Sequence, residues 1–361
     1  MPDIQSSRRA VAGYLALLAL AFLAFSCDQG HQPASGLQCD PHPVDVVTRD
    51  FADAFAPLQP LVFRTSDPSP VLSVRALSVS PSGHLLVTDN RSGDLKLADR
   101  DGRIIRVIGR EGEGPGEFTA LFDAVFLSDD RIVALDGGRV LTTLFDSAGV
   151  VLNTFQLREQ FDPRAVVAID DSTFLIGGLV GGLDGGNDLA RIYSLDGSVS
   201  ESFFPADQLL FETGMIVDRV WGVALPSGSV ALGLAVTPAV HLFSETGAHM
   251  CTQASEPPQW SQLLPRDEPA AMDAATRAWI QQATLSGGAA YASGSLYRQY
   301  GSSGENGVSL LAEYDDQLNL RNIYTSPPGR LVGADAETIF FLGDESVDET
   351  RLLRFQPRRR Q

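Results

Sequence analysis

The chain has 361 residues, 44% of them hydrophobic and 20% charged, which is enough apolar material for one large domain or two ordinary ones. Its formal net charge is −18, and Lys96 is its only lysine. An acidic surface repels phosphate backbones, so this balance argues against a nucleic-acid partner. Abundant glycine (34) and proline (21) favour many short strands joined by turns over long helices.

In chain order, the first element is a leader. Arg8 and Arg9 precede an apolar run from Ala10 to Phe25 that ends at Ser26 and Cys27. This is the three-part layout of a secretory signal, assigned here to residues 1–27. The run is shorter than the roughly 20 residues of a membrane span, and an uncleaved anchor is the alternative. The segment Ala24-Phe25-Ser26-Cys27 resembles a bacterial lipobox. That resemblance implies a diacylglycerol on the Cys27 thiol and a mature chain tethered to a membrane, exported to the periplasm or the cell surface. The alternative is cleavage by the ordinary signal peptidase.

Residues 28–59 are polar, carry proline and lack periodicity, and so read as a linker. With Cys27 set aside, Cys39 and Cys251 are enough for one disulfide in an oxidising compartment. Such a bridge would pin the N-terminal extension to the body, and two unpaired thiols are the alternative. The three cysteines lack zinc-ligand spacing.

A two-part phrase then recurs over residues 60–357. Its first half is a turn pair and an apolar strand: LSVSPSGHLLVTD (77–89), FLSDDRIVALD (126–136), VAIDDSTFLIGG (167–178) and VALPSGSVALGLA (223–235). Its second half is strand, tight turn, strand, with turn glycines at Gly102, Gly149, Gly197 and Gly247, spaced 47, 48 and 50 residues apart. An all-strand repeat of this period is one propeller blade of about four strands. A looser fifth copy covers 287–324, with its second turn at Asp316-Gln317. The extra length before it, 255–285, reads as a helical insertion with Asp267 as cap and Pro269 in the first turn. The sixth copy, 333–357, is short of strands, and PLVFRTS (60–66) is placed to complete it. The expected fold is an all-β six-bladed β-propeller with a short helical insertion. Residues 358–361 read as a solvated basic tail.

The stretch LLVTDNRSGDLKLADRDGRIIRVIGREGEGPGEF (85–118) resembles an NHL-type repeat. The resemblance rests on Asp89, Asn90, the Asp99–Gly102 turn and the link Gly112-Glu113-Gly114-Pro115-Gly116-Glu117-Phe118. Behind a lipobox, it is similar to the bacterial six-bladed β-propeller lipoproteins. Some six-bladed propellers resemble lactonases, with Asp, Asn and Glu around a central calcium. That likeness makes Asp89, Asn90 and Asp136 weak candidate Ca²⁺ ligands.

No HExxH or GxSxG motif occurs, and the Gly112–Gly116 stretch is neither GxGxxG nor a P-loop. No catalytic residue is assigned, and no cofactor is expected beyond a possible Ca²⁺. The first functional reading is a non-enzymatic binding module for a protein or carbohydrate partner, with Trp260 and Trp279 of the insertion as contact candidates. The alternative is a Ca²⁺-dependent propeller hydrolase, lactonase or lyase. The two differ in what lines the central channel.

Overall fold

The computed structural model describes Cys39 and residues 45–358, except 65–66, 158–159, 181–187, 207–219, 255, 259, 262–283, 302–308 and 344–347. The leader with Cys27 lies outside the described residues. So does most of the expected helical insertion, Trp279 included. Among the described residues, no helix is long and apolar enough to cross a membrane.

The described chain opens with β1 (Val47–Asp50), the single-turn helix α1 (Phe51–Ala54) and β2 (Phe55–Arg64). The first blade is β3 (Val74–Val79), β4 (Leu85–Asp89), β5 (Asp94–Ala98) and β6 (Ile104–Ile108). The second is β7 (Leu121–Phe126), β8 (Ile132–Asp136), β9 (Leu141–Phe145) and β10 (Val151–Gln156). The third is β11 (Gln160–Ala168), β12 (Thr173–Val180), β13 (Asp188–Ser194) and β14 (Val199–Pro205). The fourth is β15 (Val220–Ala224), β16 (Val230–Leu234), β17 (Val240–Phe243) and β18 (His249–Gln253). The fifth is β19 (Leu285–Ala292), β20 (Ser295–Gly301), β21 (Ser309–Tyr314) and β22 (Leu320–Thr325), with β1 added in parallel outside β22. The sixth combines β23 (Arg330–Ala334), β24 (Ile339–Leu342) and β25 (Glu349–Pro357) with β2 from the other end of the chain. The first strands β3, β7, β11, β15, β19 and β23 contact one another in cyclic order and close the ring. The fold is a six-bladed β-propeller.

Packing explains the sequence pattern. Middle strands such as β4, β8 and β16 are buried along their whole length, because neighbouring blades cover both faces, so they read as continuous apolar runs. Outer strands such as β10 alternate half-buried and exposed residues. The core is correspondingly six apolar clusters, one at each seam between blades. At the first seam, Leu86, Leu97 and Ile108 meet Leu121, Ile132 and Phe145.

The turn glycines recur for a physical reason. Gly247 sits at φ +82, and a Cβ there would lie 2.7 Å from the Phe203 ring of the preceding blade. Gly197 stands in the same relation to Phe155. Each turn therefore demands a left-handed backbone and a missing side chain together. Gly247→Ala should cost about 2 kcal/mol from backbone strain and ring displacement. Thermal unfolding monitored by circular dichroism checks this, and an unchanged midpoint contradicts it. In the fifth blade the equivalent place is taken by Leu318 at φ 60, which is fully buried at the fourth seam.

Within the stretch read as linker, the structure describes β1, α1 and the start of β2 from Val47 onward. Phe51 and Phe55 stack 4.3 Å apart, and Phe341, Phe355, Tyr297 and Tyr324 pack around them edge-on. This aromatic cluster anchors residues whose polar neighbours hide it in the sequence. The body also extends one residue into the expected tail, since Arg358 N donates to Ala54 O. Upstream, Cys39 and Cys251 form a disulfide spanning 212 residues, and Cys39 N donates to Thr252 O. The extension thus touches the outer strand of the fourth blade, the edge of the fifth and the open side of the sixth.

Candidate binding site at the channel mouth

The first strands enclose a central cavity of about 590 Å³. Its wall can be read as tiers. The bonds Ser80 N to His84 O, Leu127 N to Arg131 O, Ile169 N to Thr173 O, Leu225 N to Ser229 O and Asp335 N to Thr338 O mark equivalent turns in five blades. Five residues before each turn stand Arg75, Phe122, Arg164, Val220 and Arg330. Three blades therefore place an arginine at one tier of the first strand, and all three line the cavity. The strand ladder slips at Arg75, Phe122 and Arg164, each lying between residues paired in different register. Such bulges re-aim a side chain at the cost of a ladder bond.

Contacts fix these arginines to neighbouring blades. Arg75 Nε donates to Phe122 O at 2.5 Å, and its guanidinium carbon lies 4.6 Å from the Phe122 ring centre. Arg164 approaches the same ring at 5.1 Å, and its Nη2 donates to Asp162 Oδ2 at 2.6 Å. Arg330 Nη1 donates to Arg75 O at 2.9 Å, and its Nη2 to Val74 O. Arg164 Nε is buried and has no acceptor among the described residues.

Asp123 is the one carboxylate in the described channel wall. Burial pushes its pKa up to about 6, against the opposing pull of Val166 N, Ala124 N and the Arg75 charge. Asn90 also borders the cavity.

The candidate calcium ligands are not brought together. Asp89 is fully buried; Oδ1 accepts from Ser73 N, Arg91 N and Ser92 N, and Oδ2 from Leu72 N. Asp136, one blade on, accepts from Thr119, Ala120, Gly138 and Arg139 in the same manner. Burial raises the Asp136 carboxyl, yet these bonds outweigh it and hold the group below the usual range. Both carboxylates accept several bonds from nearby backbone N–H groups, and Asp136 also from the Thr119 hydroxyl and Arg139. They brace the chain just before β3 and β7, and so position Arg75 and Phe122. Among the described residues, no three His, Cys, Asp or Glu side chains gather into a metal-sized cluster.

Trp260, expected as an exposed contact residue, is half-buried against Tyr300, with ring centres 5.7 Å apart. Sequence reasoning missed the arginines, because each stands alone in an apolar strand. The available signal was their constant offset from the following turn.

A family model described as "6-bladed beta-propeller" matches residues 44–149. No curated protein matches the chain. Among solved structures, the chain is similar to a protein of Bacteroides fragilis described as exported, with TM-score 0.65 at 13% identity over 88% of this chain and 100% of the other. A Bacteroides vulgatus protein from a family of undefined function gives 0.63 at 10% identity over 85% and 98%. A gluconolactonase of Xanthomonas campestris gives 0.53 at 10% identity over 88% and 99%. At such identities the likeness concerns the fold alone.

Proposed function

We propose that this protein is an exported binding module, NHL-like in its first blade, tethered to a membrane through lipidated Cys27, which holds a carbohydrate or protein ligand at its channel mouth. The observation that carries the reading is the wall chemistry among the described residues: three arginines at one tier, beside one carboxylate held by backbone N–H groups. This arrangement suits recognition of a polar ligand on a rigid ring. The lactonase reading needs convergent carboxylates, and Asp89 and Asp136 are each occupied within their own blade.

The tether would be short. With Cys39 bridged to Cys251, the residues between Cys27 and Cys39 would set the tether's length, at most roughly 40 Å. The ring would then stand close to the membrane surface. Its net negative charge would favour a lipid anchor over electrostatic adhesion to anionic lipids.

Two measurements test the proposal. Cys27→Ser should abolish incorporation of labelled palmitate and move the protein from the membrane to the soluble fraction; unchanged membrane retention contradicts the tether. The mature body should retain a ligand from a glycan or protein array and return it with unchanged mass, and Arg164→Gln should reduce that retention. A mass change on incubation would show turnover and overturn the binding reading.

A further inference from the structure

We propose that the channel mouth is an oxyanion site, where Arg75, Arg164 and Arg330 take the carboxylate or phosphate group of a ligand that enters end-on. The inference rests on the binding reading above and names the chemistry that the mouth would recognise.

The first argument is charge placement. The chain is strongly acidic overall, yet three of the four charged side chains lining the described cavity are arginines. Among the described residues, Asp123 and Asp162 are the carboxylates beside them, which sets three arginines against two acids there. A cleft walled by low-dielectric protein focuses such a field toward an entering anion.

The second argument is preorganisation. Arg75 is held by the Phe122 carbonyl and ring, Arg164 by that ring and Asp162, and Arg330 by two carbonyls of the first blade. A guanidinium already fixed in place loses little freedom when it binds. Each is a planar fork of N–H donors that matches paired oxygens. The buried Arg164 Nε would gain an acceptor from a bound oxyanion.

The third argument is the bulge. Register slips at Arg75, Phe122 and Arg164 put the irregularity of three neighbouring blades on this tier. Bracing of the blades alone would need carbonyl contacts; it would not need cations gathered on one side of a channel of about 590 Å³, a volume typical of ligand pockets.

The test is isothermal titration of the mature body at low salt with sodium phosphate, digalacturonate and neutral digalactose. At least one anion should bind in a one-to-one ratio, and digalactose should not. Phosphate alone would mark a phosphorylated ligand, and digalacturonate alone a carboxylate ligand. Arg164→Gln should weaken the bound anion at least tenfold, Arg164→Lys by less, and Asp123→Asn should tighten it several-fold. Thermal melting of each variant identifies any that fails to fold, and the Lys variant then carries the comparison.

Absence of binding by both anions to the folded wild type overturns the inference. So does an affinity unchanged in folded Arg164→Gln, which would mark an adventitious ion only. Equal binding of digalactose overturns the oxyanion claim while the mouth stands as the ligand site. Conversely, anion binding with array retention unchanged in Arg164→Gln overturns the proposed function and leaves the oxyanion site standing.

Discussion

Replacing Arg298 with methionine should lower the stability of the body by about 3–5 kcal/mol. Arg298 lies on β20 and is fully buried. Its guanidinium sits between the rings of Trp221 and Tyr300, at 4.6 and 4.7 Å. Its Nη groups donate to the carbonyls of Leu234, Thr237, Pro238 and Ala239, at 2.6 to 2.9 Å. The residue thus ties the fifth blade to the chain that leaves β16 in the fourth. Methionine fills similar volume and supplies no donor, so several buried carbonyls lose their partner, at about 1–3 kcal/mol each before relaxation. Lysine should recover only part of the loss, because a point charge cannot serve four acceptors spread around a planar fork. Urea unfolding at neutral pH reads the effect: the midpoint should fall with little change in slope. A loss below about 1 kcal/mol would show that the site relaxes around the missing fork.

The second large effect concerns the strap formed by the N-terminal extension. Replacing both Cys39 and Cys251 with alanine should cost about 4–5 kcal/mol, because the bridge closes 212 residues and removes much of the unfolded chain's freedom. The loss should appear in oxidising buffer, and reduction of the wild type should reproduce it. Equal midpoints for wild type and the double variant would mean that the bridge constrains little. Thiol titration of unreduced protein under denaturing conditions supplies the companion check, with no reactive Cys39 or Cys251 expected before reduction.

The blades were legible because their turns impose a demand that few residues meet. Gly102, Gly149, Gly197 and Gly247 each need φ > 0, and at Gly197 and Gly247 an aromatic ring fills the place of the missing side chain. Where another residue meets the backbone demand, the signal fades. Leu318 adopts φ 60 and is stabilised by burial, so the fifth turn carries no glycine. The sixth blade was readable as a composite because β23 to β25 leave one edge unpaired, and an edge strand needs a partner. The true start of β2 was not readable. Phe55 to Gln59 is interrupted by Pro57, and the burial of Phe55 depends on aromatic partners some 240–270 residues away.

The site was less legible than the fold. Asp89 and Asp136 drew notice through a likeness to lactonase propellers, which hold a calcium among Asp, Asn and Glu. Their environment shows instead that each holds the backbone at the start of a neighbouring strand. Arg75, Arg164 and Arg330 are separated by up to 255 residues, and only ring closure brings them to one tier. Periodicity along the chain reports turns and cores well. It reports a convergent wall poorly, because each blade contributes one residue with no local partner in sequence.

The central claim is that the working surface of this propeller is the arginine-bearing end of its channel. Crystals of the mature body soaked in selenate test it most directly, through the anomalous signal of selenium. A peak within hydrogen-bond distance of the Arg75 and Arg164 guanidinium groups, lost in Arg164→Gln crystals, is the predicted result. Peaks confined to the outer rim, or a channel peak unchanged by that substitution, would contradict it.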